Sequence, residues 1–184
     1  MRKKLNYAMI ATTGLLALTP LFAQNQSATA LSAQDRKFVT EAAQGGMAEV
    51  EMGRVASERG SSADVKAFGR RMMDDHTKAN EKLKQVARDK GVTLPTDLPA
   101  EMKQERDMLS KLSGAEFDKM YMSHMVKDHQ KTVASFEKEA EGGQDQAVRA
   151  FAQETLPTLR EHLRLAQDTA AKVGAPDDHS GHNH

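Results

Sequence analysis

The chain is 184 residues long, with 26 basic and 26 acidic side chains, no cysteine, no tryptophan and 4% aromatic residues. The absence of cysteine excludes a disulfide framework and a lipid anchor on cysteine, and the balanced charge argues against the basic face of a general nucleic-acid binder. With so few aromatics, Leu, Val, Ala and the 11 methionines must fill the core.

The chain opens on Arg2-Lys3-Lys4, then an apolar run from Ala8 to Leu18, then Pro20-Leu21-Phe22-Ala23 ahead of a polar stretch. A basic start, a short apolar run and a small residue before the cut predict an export signal over residues 1–23, cleaved after Ala23, with Ala28-Thr29-Ala30 as a second candidate. The run is too short for a comfortable membrane span, and no later stretch offers one. The expectation is a periplasmic protein of the bacterial envelope, soluble or peripherally attached, with outer-membrane association as one form of attachment. Removing 23 residues leaves 161, enough for one domain with a single core, and takes away three basic residues, for a net charge of −3.

After a flexible segment (24–33), the punctuation is that of a helical domain over residues 34–174. Ser32-Ala33-Gln34-Asp35 resembles a capping box and predicts a first helix running to Glu58 and stopping at Gly60. Ser61-Ser62-Ala63-Asp64 opens a second that ends at Lys90-Gly91. Residues 92–99 hold two prolines and cannot be one helix; a short helix from Ala100 to Leu112 follows. Ser113-Gly114-Ala115-Glu116 reads as another capping box, starting a third long helix that ends at Gly142-Gly143, and a fourth runs from Asp145 to Val173 and stops at Gly174. No stretch alternates with strand periodicity, so the class is all-α.

Two tight hairpins joined by one long connection is the topological signal. The 22 residues from Gly91 to Leu112 reach roughly 45 Å, against roughly 42 Å for a helix of about 28 residues, so the connection is long enough to traverse a bundle. The fold expected is a ferritin-like four-helix bundle: two antiparallel hairpins, a long crossover and a short extra helix. An up-down-up-down bundle with the connection coiled against one end is the alternative. Val65-Lys66-Ala67-Phe68 also echoes Val148-Arg149-Ala150-Phe151, each just after a hairpin turn, which hints at a duplicated hairpin.

At about 100° per residue, each long helix carries one polar, metal-competent residue in its apolar stripe. Glu49 falls in line with Phe38, Ala42, Gly45, Met52 and Ala56, whereas Glu51 points away. His76 lines up with Val65, Met72, Ala79 and Leu83; His129 with Met122, Met125, Val133 and Phe136; His162 with Val148, Phe151, Thr155 and Ala166. His124 points away from the His129 stripe, as a surface residue would. One inward donor per helix at similar depth is how a bundle builds a core site, and a buried Glu or His is costly unless something satisfies it. Glu49, His76, His129 and His162 are therefore candidate ligands for a Zn, Cu or Fe ion; a hydrogen-bonded polar core without metal is the alternative. Met72 and Met125, one turn before His76 and His129, suit soft copper ligation, but core filling is the expected role. Each histidine follows an acid (Asp75, Asp128, Glu161) that is either a solvated flank residue or a hydrogen-bond partner for an imidazole on a neighbouring helix. Pro157, inside the last helix, should free the carbonyl of Gln153 and kink the helix near the site.

The disordered tail, residues 175–184, ends in Asp177-Asp178-His179-Ser180-Gly181-His182-Asn183-His184. His179, His182 and His184 form a weak, exchangeable chelating set or simply a polar end. No nucleophile–base–acid set, phosphate loop or paired-carboxylate motif stands out, which leans against an enzyme. Two functions remain: a metal-binding or metal-buffering bundle, or a non-catalytic structural or stress-related interaction module of the envelope whose core polar residues fix packing. A redox enzyme is a third reading.

The stretches Ala42-Ala43-Gln44-Gly45-Gly46-Met47-Ala48-Glu49-Val50-Glu51, Met73-Asp74-Asp75-His76, Met125-Val126-Lys127-Asp128-His129 and Leu156-Pro157-Thr158-Leu159-Arg160-Glu161-His162-Leu163 resemble a bacterial family, domain of unknown function 4142, over about residues 34–172. The resemblance implies a ferritin-like helical domain in an exported protein and supplies no function. Di-iron proteins of the ferritin-like kind use Glu-x-x-His pairs. Here the residues three before the histidines are Met73, Val126 and Leu159, which disfavours ferroxidase chemistry and leaves a His-rich set suited to a single ion.

Overall fold

The computed structural model describes residues 30–176. The segment read as a signal and the tail histidines His179, His182 and His184 lie outside the described residues. Five helices make up the fold: α1 (Ala33–Arg59), α2 (Ala63–Asp89), α3 (Ala100–Leu109), α4 (Gly114–Gly142) and α5 (Gln146–Val173). The described residues hold no strand, only an isolated bridge between Gly60 and Gly114, and no helix among them is long and apolar enough to cross a membrane.

The helix ends follow from local chemistry. Ser32 Oγ accepts the Asp35 amide at 3.1 Å, Ser62 Oγ the Asp64 amide at 3.2 Å, and Asp145 Oδ1 the amides of Ala147 and Val148 at 2.9 and 3.2 Å. Each satisfies donors that a helix start leaves unpaired. Gly91 and Gly174 take φ +63° and +66°, the left-handed conformation that closes a helix and that a side chain disfavours. Two expectations differ. Ser113 makes no side-chain cap bond at the start of α4. The short helix α3 ends at Leu109 rather than Leu112, because residues 110–112 tighten into a turn in which Lys111 and Leu112 donate to carbonyls three residues back. Pro157 sits within a continuous α5, and both it and Gln153 are exposed, so the carbonyl that proline strips of its donor lies on the wet side.

The hairpins α1–α2 and α4–α5 pack face to face, α1 against α4 and α2 against α5. The α1–α2 turn meets the start of α4, where Asp118 accepts from Ser61 N (2.9 Å), Ser61 Oγ (2.6 Å) and Ser62 N (2.7 Å). At the other end the α4–α5 turn meets the start of α1, where Asp35 accepts from Gln144 N (2.9 Å) and Asp145 N (3.0 Å), and Lys90 at the end of α2 pairs with Asp145 at 2.7 Å. The chain leaves α2 at one end and enters α4 at the other, so the connection carrying α3 traverses the bundle. α3 is held there by burial of Leu98 and Leu109 and by Arg106, which donates to Glu51 at 2.6 Å.

The core divides into two apolar clusters, one around Met52, Phe68, Met72, Tyr121 and Met125, the other around Phe38, Leu83, Phe136, Phe151 and Leu159. On α2, α4 and α5 the inward histidine falls between the two: His76 between Met72 and Leu83, His129 between Met125 and Val133, His162 between Leu159 and Ala166. Met72 and Met125 are fully buried members of the first cluster.

Candidate metal centre

Helical periodicity turns all four candidates into the core: Glu49, His76, His129 and His162 are 2%, 8%, 1% and 1% exposed. One ligating nitrogen each from His76, His129 and His162 lie within 4.8 Å of one another, and the ring centroids stand 5.3–5.9 Å apart. Three helices from both hairpins thus deliver an imidazole to one point.

Hydrogen bonds fix two of the rings. His129 Nδ1 lies 2.9 Å from the Met125 carbonyl; a carbonyl only accepts, so Nδ1 carries the hydrogen and Nε2 keeps its lone pair. His162 Nε2 lies 3.0 Å from Asp75 Oδ2. Burial alone would raise the Asp75 carboxyl, but the bond from His162 and the charges of Arg71 and Lys78 hold it below the usual carboxylate range. It is ionised, Nε2 donates, and Nδ1 keeps its lone pair. The nitrogens left over, His129 Nε2 and His162 Nδ1, are buried without a hydrogen-bond partner, as is His76 Nε2. A carboxylate or carbonyl behind an imidazole that turns its free lone pair inward is the usual arrangement around a bound metal ion.

The rings are also neutral. Burial, then the neighbouring His129 and His162, push His76 down to about 3. Burial, then His162, push His129 down to about 4. At His162 burial outweighs the attraction of Asp75, and its pKa too is lowered. Neutral imidazole is the form that binds metal, so no proton need be displaced near neutral pH.

Glu49 departs from the expected single set. It falls into an adjoining group with Asp128 and His129, and its Oε1 stands 3.7 Å from His129 Nδ1, too far for a hydrogen bond. Burial, reinforced by the Asp128 charge, raises its carboxyl well above the ordinary value. Both its oxygens are buried, and its protonated carboxyl has Asp128 as a hydrogen-bonding neighbour. The hydroxyl of Tyr121, buried and unpartnered, is raised by burial and by Glu49.

The acids that precede the histidines do three different things. Asp75 reaches across to α5 and holds His162; Asp128 stands beside Glu49 of α1; Glu161 pairs with Arg164 of its own helix at 2.8 Å. The sequence marks all three by the acid–His dipeptide, but the contacts depend on how neighbouring helices are rotated. His124 is half-buried rather than on the surface, 3.9 Å from Glu105 of α3, because the crossover covers that side of α4.

The family profile of domain of unknown function DUF4142 matches residues 21–169. The chain belongs to this family. Among the solved structures that share its fold are two DUF305 proteins. A fragment of a DUF305 protein from Deinococcus radiodurans is 15% identical, with a TM-score of 0.68 over 78% of this chain and 99% of its own. A DUF305 protein from Streptomyces coelicolor, described as secreted, is 16% identical, with a TM-score of 0.67 over 79% of this chain and 97% of its own. At such identity the likeness extends to the fold alone. No functionally curated protein matches.

Proposed function

We propose that the protein is an exported, ferritin-like four-helix bundle that binds one first-row transition metal ion through His76, His129 and His162, with Glu49 beside the site. The observation that carries this reading is the meeting of three buried imidazoles, with one nitrogen of each within 4.8 Å of the others, and each ring having a buried nitrogen without a hydrogen-bond partner. Three neutral imidazoles suit Zn, Cu or Fe, and a three-histidine set leaves a fourth position for another ligand. The crossover along the bundle supports the ferritin-like topology. The basic-then-apolar start of the chain supports export, which mass determination of the protein in its native host tests through cleavage after Ala23.

A purely hydrogen-bonded packing network accounts less well for the same residues, because such a network needs partners that the three ring nitrogens do not have. The test is elemental analysis of untagged protein isolated without chelators. Close to one metal ion per chain in wild type and almost none in His129→Ala is the expected result. Metal-free protein whose melting is unmoved by Zn, Cu or Fe refutes the reading.

A further inference from the structure

A cavity of about 400 Å³ opens from the surface between α1 and α4 and reaches the histidine layer. Its exposed rim carries Glu41, Lys131 and Ser135, its inner wall is built from Phe38, Phe136, Phe151 and Leu159, and at its depth stand Glu49, His76, Asp128 and His129. The volume is that of a small-molecule site, for which roughly 300–1,000 Å³ is typical, and so is the apolar wall with a few polar groups at one end.

The helix that forms one side supplies an independent sign. Gly45 and Gly46 interrupt α1 in mid-helix, where each glycine costs roughly 0.5–1 kcal/mol relative to alanine. Gly46 has a packing reason: a Cβ there would lie 2.0 Å from the side-chain oxygen of Asn80. Gly45 has none, since a Cβ there would meet no atom within 4 Å. It borders the cavity, and the space it leaves is filled by no protein group.

We propose that this cavity binds a small uncharged molecule, with an apolar body and a single nitrogen or oxygen donor atom, that completes the coordination of the metal. The proposal rests on the metal reading above. The wall of aromatic and aliphatic side chains favours an apolar body, and burying a charge against it is costly. On the rim Lys131 offsets Glu41, but Asp128, at the deep end beside the histidines, opposes an anion there in particular. Two of the three histidines, His76 and His129, border the cavity, so a molecule inside it reaches the ion from the side that His162 does not occupy.

Pyridine and azide are suitable probes, one uncharged and one anionic, with full-length protein loaded with Co(II) and its visible bands as readout. The expected result is a saturable band shift with pyridine, weaker binding of azide, and unchanged cobalt content after titration. Gly45→Phe should weaken pyridine at least tenfold while leaving cobalt stoichiometry and the ligand-free bands as in wild type; Gly45→Ala should stay within a few fold. Should Gly45→Phe not fold, Ser135→Trp closes the rim from the α4 side and should weaken pyridine in the same way. Normal cobalt bands that ignore pyridine, or equal binding to the blocked variant, overturn the pocket while the metal site stands. Tighter azide than pyridine overturns the uncharged class. Failure to bind cobalt removes the metal reading itself and the pocket with it.

Discussion

Asp35 and Asp118 stand 83 positions apart and do the same thing in opposite halves of the molecule: each, from the first turns of one hairpin, holds the turn of the other. The same spacing relates Gly60 to Gly143, which end α1 and α4 with near-identical dihedrals, and Gly91 to Gly174, both with positive φ. It relates the bond from Val92 N to Ala87 O (2.8 Å) to that from Ala175 N to Ala170 O (2.9 Å). It also relates the Phe38–Phe151 ring contact to that of Tyr121 with Phe68. The ends of the two hairpins are thus two copies of one device. Their middles are not. By the same spacing His129 answers Gly46, His162 answers Ala79, His76 answers Leu159 and Glu49 answers Thr132. The repeated ends specify the fold, and the buried histidine cluster sits where the repeat breaks down.

The comparison can be broken at several points, the largest effects coming first. In metal-free protein His76 and His129 bind protons at about 3 and about 4 when folded, against about 6.5 when unfolded. The unfolded chain takes up more protons as pH falls, so stability drops from about pH 6.5 down to about 3, by on the order of several kcal/mol. Glu49 has the opposite sign: its raised carboxyl keeps a proton in the folded state, and its contribution fades as pH rises above about 4.5. Glu49→Gln should therefore flatten the upper limb of a stability–pH curve and leave the acid limb. An acid limb unchanged in the His76→Ala, His129→Ala double variant would show that the imidazoles are not its origin.

Metal binding is next. At a thousandfold excess over its dissociation constant, an ion bound only by the folded chain adds about 4 kcal/mol. Denaturation of wild type should show this gain and His129→Ala should not. At the ends, Asp118→Ala removes three charge-assisted hydrogen bonds and should cost about 3 kcal/mol, with Asp35→Ala costing nearly as much. A large difference between the two in denaturation midpoint at equal m would break the equivalence of the ends.

The hairpins also differ in how closely their helices approach. In the first, a Cβ on Gly69 would lie 2.6 Å from the Gly53 carbonyl, so α1 and α2 touch backbone to backbone; the positions answering these in the second are Ala152 and Phe136. Gly69→Ala should cost about 2 kcal/mol by forcing the first hairpin apart. The smallest effect has the other sign. Gly45→Ala meets open space and should gain about 0.5–1 kcal/mol through helix propensity; a loss in thermal melting would mean the space is needed by the fold itself.

Much of this was readable in advance because it is local. Glycines and capping residues set helix ends within a few residues, and the 22-residue connection was long enough to cross the bundle. The 100° rule turned Glu49, His76, His129 and His162 inward. What escaped the sequence depends on the rotation of one helix against another. Periodicity could not tell that Asp75 would reach the histidine of α5 rather than solvent, that Asp128 would draw Glu49 into a group of its own, or that α3 would half-cover His124. The failed cap at Ser113 is local, yet the Asp118 bonds to the α1–α2 turn fix the start of α4 by another route.

The parentage of the three histidines has a mechanical side. His76 comes from the first hairpin, His129 and His162 from the second, and the two hairpins otherwise meet through side-chain packing and turn contacts. An ion gripped by all three is a strap across the seam: it closes a long loop in any partly opened chain and penalises every excursion in which the halves part. Loading with metal would then act on the slowest breathing motions of the molecule, locking together two units with matching ends that no disulfide joins.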